Sequence, residues 1–173
     1  VRDNINYRLG DSNDTLAEIL REDDFQTAAF VGAFMLDSDF GLDQGFDTYN
    51  DDMRGKNDSS IHSQSNQRTA GQVNRAAMEW LESHHGQPFF LFVHYYDPHA
   101  FYSPPEPFAS QYANDPYAGE IAYTDRCIGQ LVSRLKSLGI YDSTLIVITS
   151  DHGESLGEHG EKTHSYFIYQ STI

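Results

Sequence analysis

The chain has 173 residues, a length that suits one domain, and its 39% hydrophobic residues are enough to fill a core. Eleven basic against 26 acidic residues give a net charge of -15, which opposes nucleic-acid binding because such binding needs basic patches to neutralise phosphates. No run of about 18 apolar residues is present, so the sequence predicts no membrane segment.

The first part of the chain predicts a helix, a strand and a long polar excursion. Ser12 or Asn13 can cap a helix over residues 14–22. Residues 27–33 form a short apolar run of β-type residues, which predicts the first strand. Residues 36–67 are rich in Gly, Asp, Asn and Ser, a composition typical of a surface loop.

The alternation of helices and strands continues to residue 149. Helical spacing over residues 68–83 precedes the apolar run 89–93, which reads as a strand covered on both faces. A longer helix is predicted over residues 117–138, and residues 144–149 predict a third strand. The apolar stripe of that helix comprises Ile121, Thr124, Ile128, Leu131, Leu135 and Leu138. Strands separated by helices imply a layered α/β fold with a mostly parallel sheet.

Cys127 lies within the longer predicted helix and is the only cysteine of the chain. One cysteine excludes an intrachain disulfide and a cysteine-rich zinc site. We therefore predict that Cys127 is a small packing residue.

Polar residues gather directly after two of the three predicted strands. Residues 94–99 follow the second strand, and residues 151–164 follow the third. In parallel α/β folds, ligands bind beyond the carboxyl ends of the strands. The sequence therefore predicts a functional site at this edge of the sheet.

Asp151 and His152 supply an oxygen and an imidazole nitrogen on adjacent residues. Adjacent side chains point apart on an ideal strand, so both can reach one ion only if the backbone turns, which Gly153 permits. The structural alternative is an aspartate that caps the next helix beside a surface histidine. The histidines that follow in the sequence favour a metal site at Asp151 and His152.

Residues 157–164 form a loop with mixed charges that could fold back over this site. Histidine and lysine are suitable donors to a sulfuryl or phosphoryl oxygen. His164 is the first candidate for that catalytic role, and Lys162 is its rival as a substrate-binding residue. A solvated charged loop is the structural alternative for both.

Two further histidines follow the second predicted strand. His99 comes after Pro98, whose fixed backbone suits a donor to a leaving-group or substrate oxygen. His94 lies at the strand end, where a structural hydrogen bond is favoured over a substrate contact. The sequence contains no Gly-x-Ser-x-Gly elbow, P-loop or His-Glu-x-x-His motif, and no residue stands out as a nucleophile.

These features resemble the sulfatase family of the alkaline phosphatase-like superfamily. The most specific matching segment is 144–160. The other matching segments are 15–20, 27–32, 41–47, 88–94, 97–99 and 117–129. The resemblance implies an alkaline phosphatase-like α/β/α fold that is incomplete at both ends, with residues 1–173 as part of a single sulfatase-type catalytic domain.

The resemblance also implies roles for individual residues. Asp151 and His152 would bind one divalent metal ion, with calcium as the first candidate and Mg²⁺ or Mn²⁺ as alternatives. His99 matches the substrate-contacting histidine that follows a proline in the family. His164 occupies a position where many members have a sulfate-binding lysine, and this departure keeps Lys162 as a candidate. The histidine beside Asp151 also occurs in phosphonate and phosphate ester hydrolases.

The nucleophile motif of the family, Cys or Ser-x-Pro-x-Arg, does not occur in these 173 residues. In sulfatases this residue becomes formylglycine, so the resemblance places a formylglycine upstream of Val1 and further C-terminal sequence after Ile173. The expected activity is hydrolysis of sulfate monoesters of small molecules or carbohydrates by a longer enzyme, with this chain alone inactive. A phosphate, phosphonate or phosphodiester hydrolase and a non-catalytic relative are the alternatives.

Overall fold

The computed structural model describes residues 7–53, 67–157 and 160. The chain divides into a first unit, Val1–Tyr141, and a second unit, Asp142–Ile173. Within the described ranges, no helix has both the length and the apolar character needed to cross a membrane.

A three-stranded parallel sheet lies in the first unit. Its strands are β1 (Gln26–Phe30), β2 (Thr48–Asn50) and β3 (Phe89–Val93), in the order β2-β1-β3. Ala28 of the central strand lies opposite Thr48 on one side and Leu91 on the other. The parallel sheet was predicted, and β3 has the predicted bounds. Its predicted coverage on both faces is incomplete, because Phe92 is 41% exposed.

Four helices accompany this sheet in the described part of the first unit. They are α1 (Leu16–Glu22), α2 (Ala70–His84), α3 (Phe108–Gln111) and α4 (Pro116–Ser137). Helices α1 and α2 pack on the sheet, α4 packs on α2, and α3 packs on α4. The N-cap of α1 is Thr15, whereas Ser12 or Asn13 was predicted. Thr15 is favoured because its hydroxyl accepts from the Glu18 N–H while the Glu18 carboxylate accepts from the Thr15 N–H, a reciprocal capping box.

The predicted excursion over residues 36–67 contains regular structure that the composition did not indicate. Two 3₁₀ turns, Phe34–Leu36 and Ser38–Phe40, precede β2. The three-residue strand is too short to show a periodic pattern, and its pairing with β1 decides its conformation. Residues 54–66 of the excursion lie outside the described residues.

The main core of the first unit is formed where α2 and α4 cover the sheet. Its buried residues are Ala28, Phe30, Val73, Ala77, Trp80, Leu81 and Leu135. Trp80 contacts Phe30 edge-on, with ring centroids 6.5 Å apart. Burial of these apolar side chains fixes α2 against β1 and β3, and thereby fixes the carboxyl end of β3.

The buried face of α4 is rotated relative to the predicted apolar stripe. Ile121 of that stripe is 44% exposed, whereas Glu120, Tyr123 and Cys127 are buried. The helix turns Glu120 inward because its carboxylate accepts two backbone N–H groups from the loop after β3. The prediction that Cys127 is a packing residue is confirmed, and so is the burial of Leu135.

The second unit does not contain the predicted third strand. Residues 144–149 are described and have no strand assignment, and Leu145 and Val147 are 89% and 77% exposed. A β-strand exists only when its N–H and C=O groups pair with a neighbouring strand, so an apolar sequence alone does not form one. The prediction of a strand over residues 144–149 is therefore wrong for this structure.

Candidate active site

The loop after β3 begins with His94, which is joined to the end of β1. Its N–H donates to the Phe30 carbonyl over 2.9 Å, which continues the ladder between β1 and β3. The Gly32 N–H donates to His94 Nδ1 over 3.4 Å. These contacts give the imidazole a structural hydrogen bond at the strand end. A substrate contact by His94 stays a prediction.

The His99 ring is held by its immediate neighbours. Its Nδ1 atom lies 2.7 Å from the Ala100 carbonyl oxygen and 2.7 Å from the Tyr96 hydroxyl. The Tyr96 ring stacks on the imidazole with centroids 4.2 Å apart. Because a carbonyl oxygen can only accept, Nδ1 carries a proton. The neutral ring therefore presents Nε2 as an acceptor, and the protonated ring donates from Nε2.

The backbone of the His99 loop is bound to Glu120 on α4. The His99 N–H donates to Glu120 Oε2 over 3.1 Å, and the Ser103 N–H donates to Oε1 over 2.6 Å. The Glu120 side chain lies in a buried position, with the residue 4% exposed. Burial raises the pKa of this carboxyl, and the two backbone hydrogen bonds lower it in part. One carboxylate thus holds two points of the loop.

Asp97, two residues before His99, joins the same loop to two helices. Its Oδ2 atom accepts from the Ala70 N–H at the start of α2, and its carbonyl accepts from the Thr124 hydroxyl on α4. Burial raises the pKa of the Asp97 carboxyl. Sequence reasoning assigned no role to the Asp97 and Glu120 side chains. The available signal was the position of Glu120 four residues before Thr124 of the predicted stripe, on the same side of the helix.

In the second unit, Asp151 and His152 lie side by side at a bend in the chain. The His152 N–H donates to Asp151 Oδ1 over 3.0 Å, and His152 Nδ1 lies 2.7 Å from the Gly153 carbonyl oxygen. That carbonyl places the proton on Nδ1, which makes Nε2 the nitrogen that can bind a metal. Nε2 lies 3.8 Å from Asp151 Oδ2.

This pair fits the chemistry of a metal site, although it is not a complete one. Because Asp151 Oδ2 and His152 Nε2 are 3.8 Å apart, each atom can lie about 2.0–2.5 Å from one shared metal ion. The Asp151 side chain is 81% exposed, so it is accessible to an ion. Over the described ranges, no group of three or more His, Cys, Asp or Glu side chains is arranged to hold a metal ion. The two side chains are therefore candidate ligands that need further partners.

The two remaining predicted site residues, Lys162 and His164, lie outside the described residues. Their roles stay predictions. Of the six predicted site residues, the structure brings His94 and His99 onto one loop in the first unit, and Asp151 and His152 onto one bend in the second.

Comparison with solved structures defines the class of fold. The chain superposes on the crystal structure of the phosphonate monoester hydrolase of Agrobacterium radiobacter with a TM-score of 0.72 and 16% sequence identity. The alignment covers 95% of this chain and 52% of that one. The fold is alkaline phosphatase-like, as the resemblance implied.

Sequence comparison then defines the family. Residues 2–170 match the Sulfatase family model, and the chain belongs to the sulfatase family. It is 36% identical over 90 residues to steryl-sulfatase of Rattus norvegicus, and the aligned segment covers 50% of this chain and 15% of that relative. It is 49% identical over 45 residues to iduronate 2-sulfatase of Homo sapiens, with coverages of 26% and 8%. The matches thus span a small part of these curated relatives.

Proposed function

We propose that the enzyme containing this chain hydrolyses sulfate monoesters of small molecules or carbohydrates in a metal-dependent reaction. The match of residues 2–170 to the Sulfatase family carries this proposal. Sulfate esters are the substrates that two of the similar relatives, steryl-sulfatase and iduronate 2-sulfatase, are named for. The members of this family act as hydrolases on ester bonds. We propose in addition which ester is hydrolysed and which residues take part.

His99 is proposed to act on the leaving-group side of the substrate. The Ala100 carbonyl keeps the proton on Nδ1, so the protonated ring donates from Nε2. When the ester bond breaks, negative charge develops on the leaving oxygen, and a donor aimed at that oxygen stabilises the transition state more than the ground state. This contribution is largest for leaving groups that are poor when unprotonated.

Asp151 and His152 are proposed to bind one divalent ion through Oδ2 and Nε2. When bound, the ion would supply positive charge next to the sulfuryl oxygens. Calcium follows from the family resemblance, but it takes six to eight oxygen ligands, and imidazole suits transition metals better. The elemental analysis of the enzyme should therefore test for Mg²⁺ and Mn²⁺ as well as Ca²⁺. The remaining ligands of the ion are proposed to come from the rest of the enzyme.

The nucleophile is proposed to be a formylglycine hydrate supplied from outside these residues, because the Cys or Ser-x-Pro-x-Arg motif is absent from them. The isolated 173-residue chain is accordingly proposed to be inactive. His164, with Lys162 as the rival candidate, is proposed to donate hydrogen bonds to the sulfuryl oxygens.

The test uses the full-length enzyme, with kcat/KM measured for 4-nitrophenyl sulfate, 4-nitrophenyl phosphate and a phenylphosphonate ester. We expect the sulfate ester to be preferred and elemental analysis to find one divalent ion per chain. Asp151→Ala is expected to lose both the ion and at least 100-fold of the activity. Asp142→Ala, which removes an exposed carboxylate from the same unit, is the matched control. An Asp151→Ala enzyme that keeps its metal and its activity overturns the assignment of the metal site.

A phosphonate or phosphate ester hydrolase is the second candidate function. The fold likeness to a phosphonate monoester hydrolase and the histidine beside Asp151 favour it. A preference for the phosphorus esters in the same assay would select this candidate. No hydrolysis of any of the three esters would favour a non-catalytic relative.

A further inference from the structure

The side chain of Glu120 is in an unusual setting for a carboxylate. It is buried, and both of its oxygens accept hydrogen bonds from backbone N–H groups of the loop that carries His99. Over the described ranges, no basic side chain forms an ion pair with it. Burying a carboxylate is costly, and its hydrogen bonds with the loop help to offset that cost.

We infer that Glu120 is a positioning residue for His99 in the reaction proposed above. Glu120 does not reach the imidazole itself; it fixes the peptide unit from which the imidazole projects. The second hydrogen bond, from Ser103, fixes the other end of the same turn. The position of His99 Nε2 thus depends on α4 rather than on the loop alone.

The helix holds this loop at two successive turns. Glu120 binds the N–H of His99, and Thr124, one turn later, donates its hydroxyl to the Asp97 carbonyl. Both residues lie inside the 22-residue helix α4, which is packed against α2. A catalytic group held by a packed helix keeps its geometry better than one on an unsupported loop.

The His99 ring is held by contacts with residues that are near it in the chain. Its Nδ1 atom is bound to the carbonyl of the next residue, Ala100, and its face is covered by Tyr96, three residues earlier in the chain. These contacts orient the ring relative to the loop. Glu120 and Thr124 connect the loop to α4.

The chemistry of the two hydrogen bonds requires glutamate at this position. A carboxylate presents two acceptor oxygens to two N–H donors, whereas glutamine presents one acceptor and directs its NH₂ group at the other N–H. Aspartate is one methylene shorter and cannot keep both distances. Glu120→Gln therefore preserves volume and removes one of the two contacts.

The kinetic test uses Glu120→Gln in the full-length enzyme, with an alkyl sulfate as the poor leaving group and 4-nitrophenyl sulfate as the good one. We expect kcat for the alkyl sulfate to fall about tenfold or more, with little change in KM and a smaller loss for 4-nitrophenyl sulfate. His99→Ala should show the same pattern, and the double variant should be no slower than His99→Ala.

Glu106→Gln is the matched control for this experiment. Glu106 lies in the same loop region, is exposed, and accepts from the N–H and hydroxyl of Ser110, away from His99. It should leave both rates within about twofold of the unmodified enzyme. Equal losses of Glu120→Gln on both substrates, or additive losses in the double variant, overturn the inference.

A second readout separates this inference from the proposed function. Amide hydrogen exchange in the full-length protein should become faster at His99 and Ser103 in Glu120→Gln and remain unchanged there in Glu106→Gln. Unchanged exchange at His99 overturns the inference even if the enzyme is an active sulfatase. Absence of sulfatase activity in the unmodified enzyme overturns the proposed function while the exchange test still applies. If Glu120→Gln does not fold, Glu120→Asp replaces it with the same expected pattern.

Discussion

Asp97 Oδ2 accepts a hydrogen bond from the backbone N–H of Ala70 over 2.6 Å. Ala70 is the first residue of α2, where backbone N–H groups have no partner within the helix. The carboxylate that precedes Pro98 therefore caps a helix that is distant in sequence. This contact places the loop after β3 against the start of α2, and it buries an acidic group next to the candidate active site.

The burial of Asp97 predicts a pH-dependent stability. The folded state raises the pKa of this carboxyl above its ordinary value of 3.8, so the folded chain keeps a proton that the unfolded chain has lost. The free energy of unfolding therefore falls as the pH rises from about 4 through the folded-state pKa. Asp97→Asn removes this titration and keeps an oxygen that can accept from Ala70.

Urea unfolding of the unmodified protein and of Asp97→Asn at several pH values between 4 and 8 measures this effect. We expect the stability of the variant relative to the unmodified protein to rise with pH over this range. The charge of Asp97 also raises the pKa of Glu120, so Asp97→Asn removes this coupling together with the Asp97 titration, and both changes act in the same direction. A difference that is constant with pH, or that falls as the pH rises, contradicts the prediction.

Replacing Arg68 by lysine should lower the stability of the fold markedly, although both side chains carry a positive charge. Its buried guanidinium donates to the carbonyls of Val31 and Asn50, the latter over 2.8 Å, and so joins the ends of β1 and β2. Lysine offers three donors at one point and cannot form this fork. Arg68→Lys should lower the free energy of unfolding by roughly 1.5–3 kcal/mol, because buried carbonyls lose charged partners. Arg75→Lys, on the exposed face of α2, is the control and should change stability by less than about 0.5 kcal/mol.

Replacing Gly45 by alanine should also lower the stability of the fold, because of the backbone conformation and close contacts at this position. Its φ angle is +88°, and a Cβ atom there would collide with the Glu18 backbone nitrogen and lie 2.9 Å from the Ala17 carbonyl carbon. Gly45→Ala should therefore destabilise the protein by roughly 1–3 kcal/mol in urea unfolding. Gly86→Ala adds the same methyl group where no atom beyond the neighbouring residues lies within 4 Å. If Gly45→Ala and Gly86→Ala are equally stable, the prediction of a close contact between Gly45 and α1 is wrong.

The exposed apolar segment 144–149 predicts self-association of the isolated 173-residue chain. Leu145 and Val147 are 89% and 77% exposed, and a run of consecutive exposed apolar residues favours association between chains. Val147→Lys should lower the apparent mass of the chain in light scattering at rising concentration. Asn114→Lys adds the same charge at another exposed site and should not. A chain that stays monomeric without any substitution contradicts the prediction.

Short-range patterns predicted much of the fold. The apolar run of β3 and the three-and-four spacing of α2 and α4 gave those elements with bounds within two residues of the structure. Such patterns are visible in sequence because helix and strand periods are properties of the local backbone. The loop of His94 and His99 was placed correctly after β3 for the same reason.

Tertiary contacts decided the rest. The strand identity of β2 and the inward turn of Glu120 each depend on partners that are distant in sequence. The capping of α1 by Thr15 is a local exception, because the capping box joins residues only three apart. The apolar residues 144–149 illustrate the opposite case, since their sequence favours a strand and the described structure gives them no ladder partner. Sequence patterns show which residues are suited to burial, but pairing determines whether they are buried.

The chemistry of the candidate site divides in the same way. The sequence by itself determined which side chains can donate protons or bind a metal, namely His94, His99, Asp151 and His152, because those capacities belong to the side chains. Only the tertiary structure decided that Glu120 and Asp97 support the His99 loop. A buried carboxylate acquires that function from the N–H groups that surround it, and these come from parts of the chain that only folding brings together.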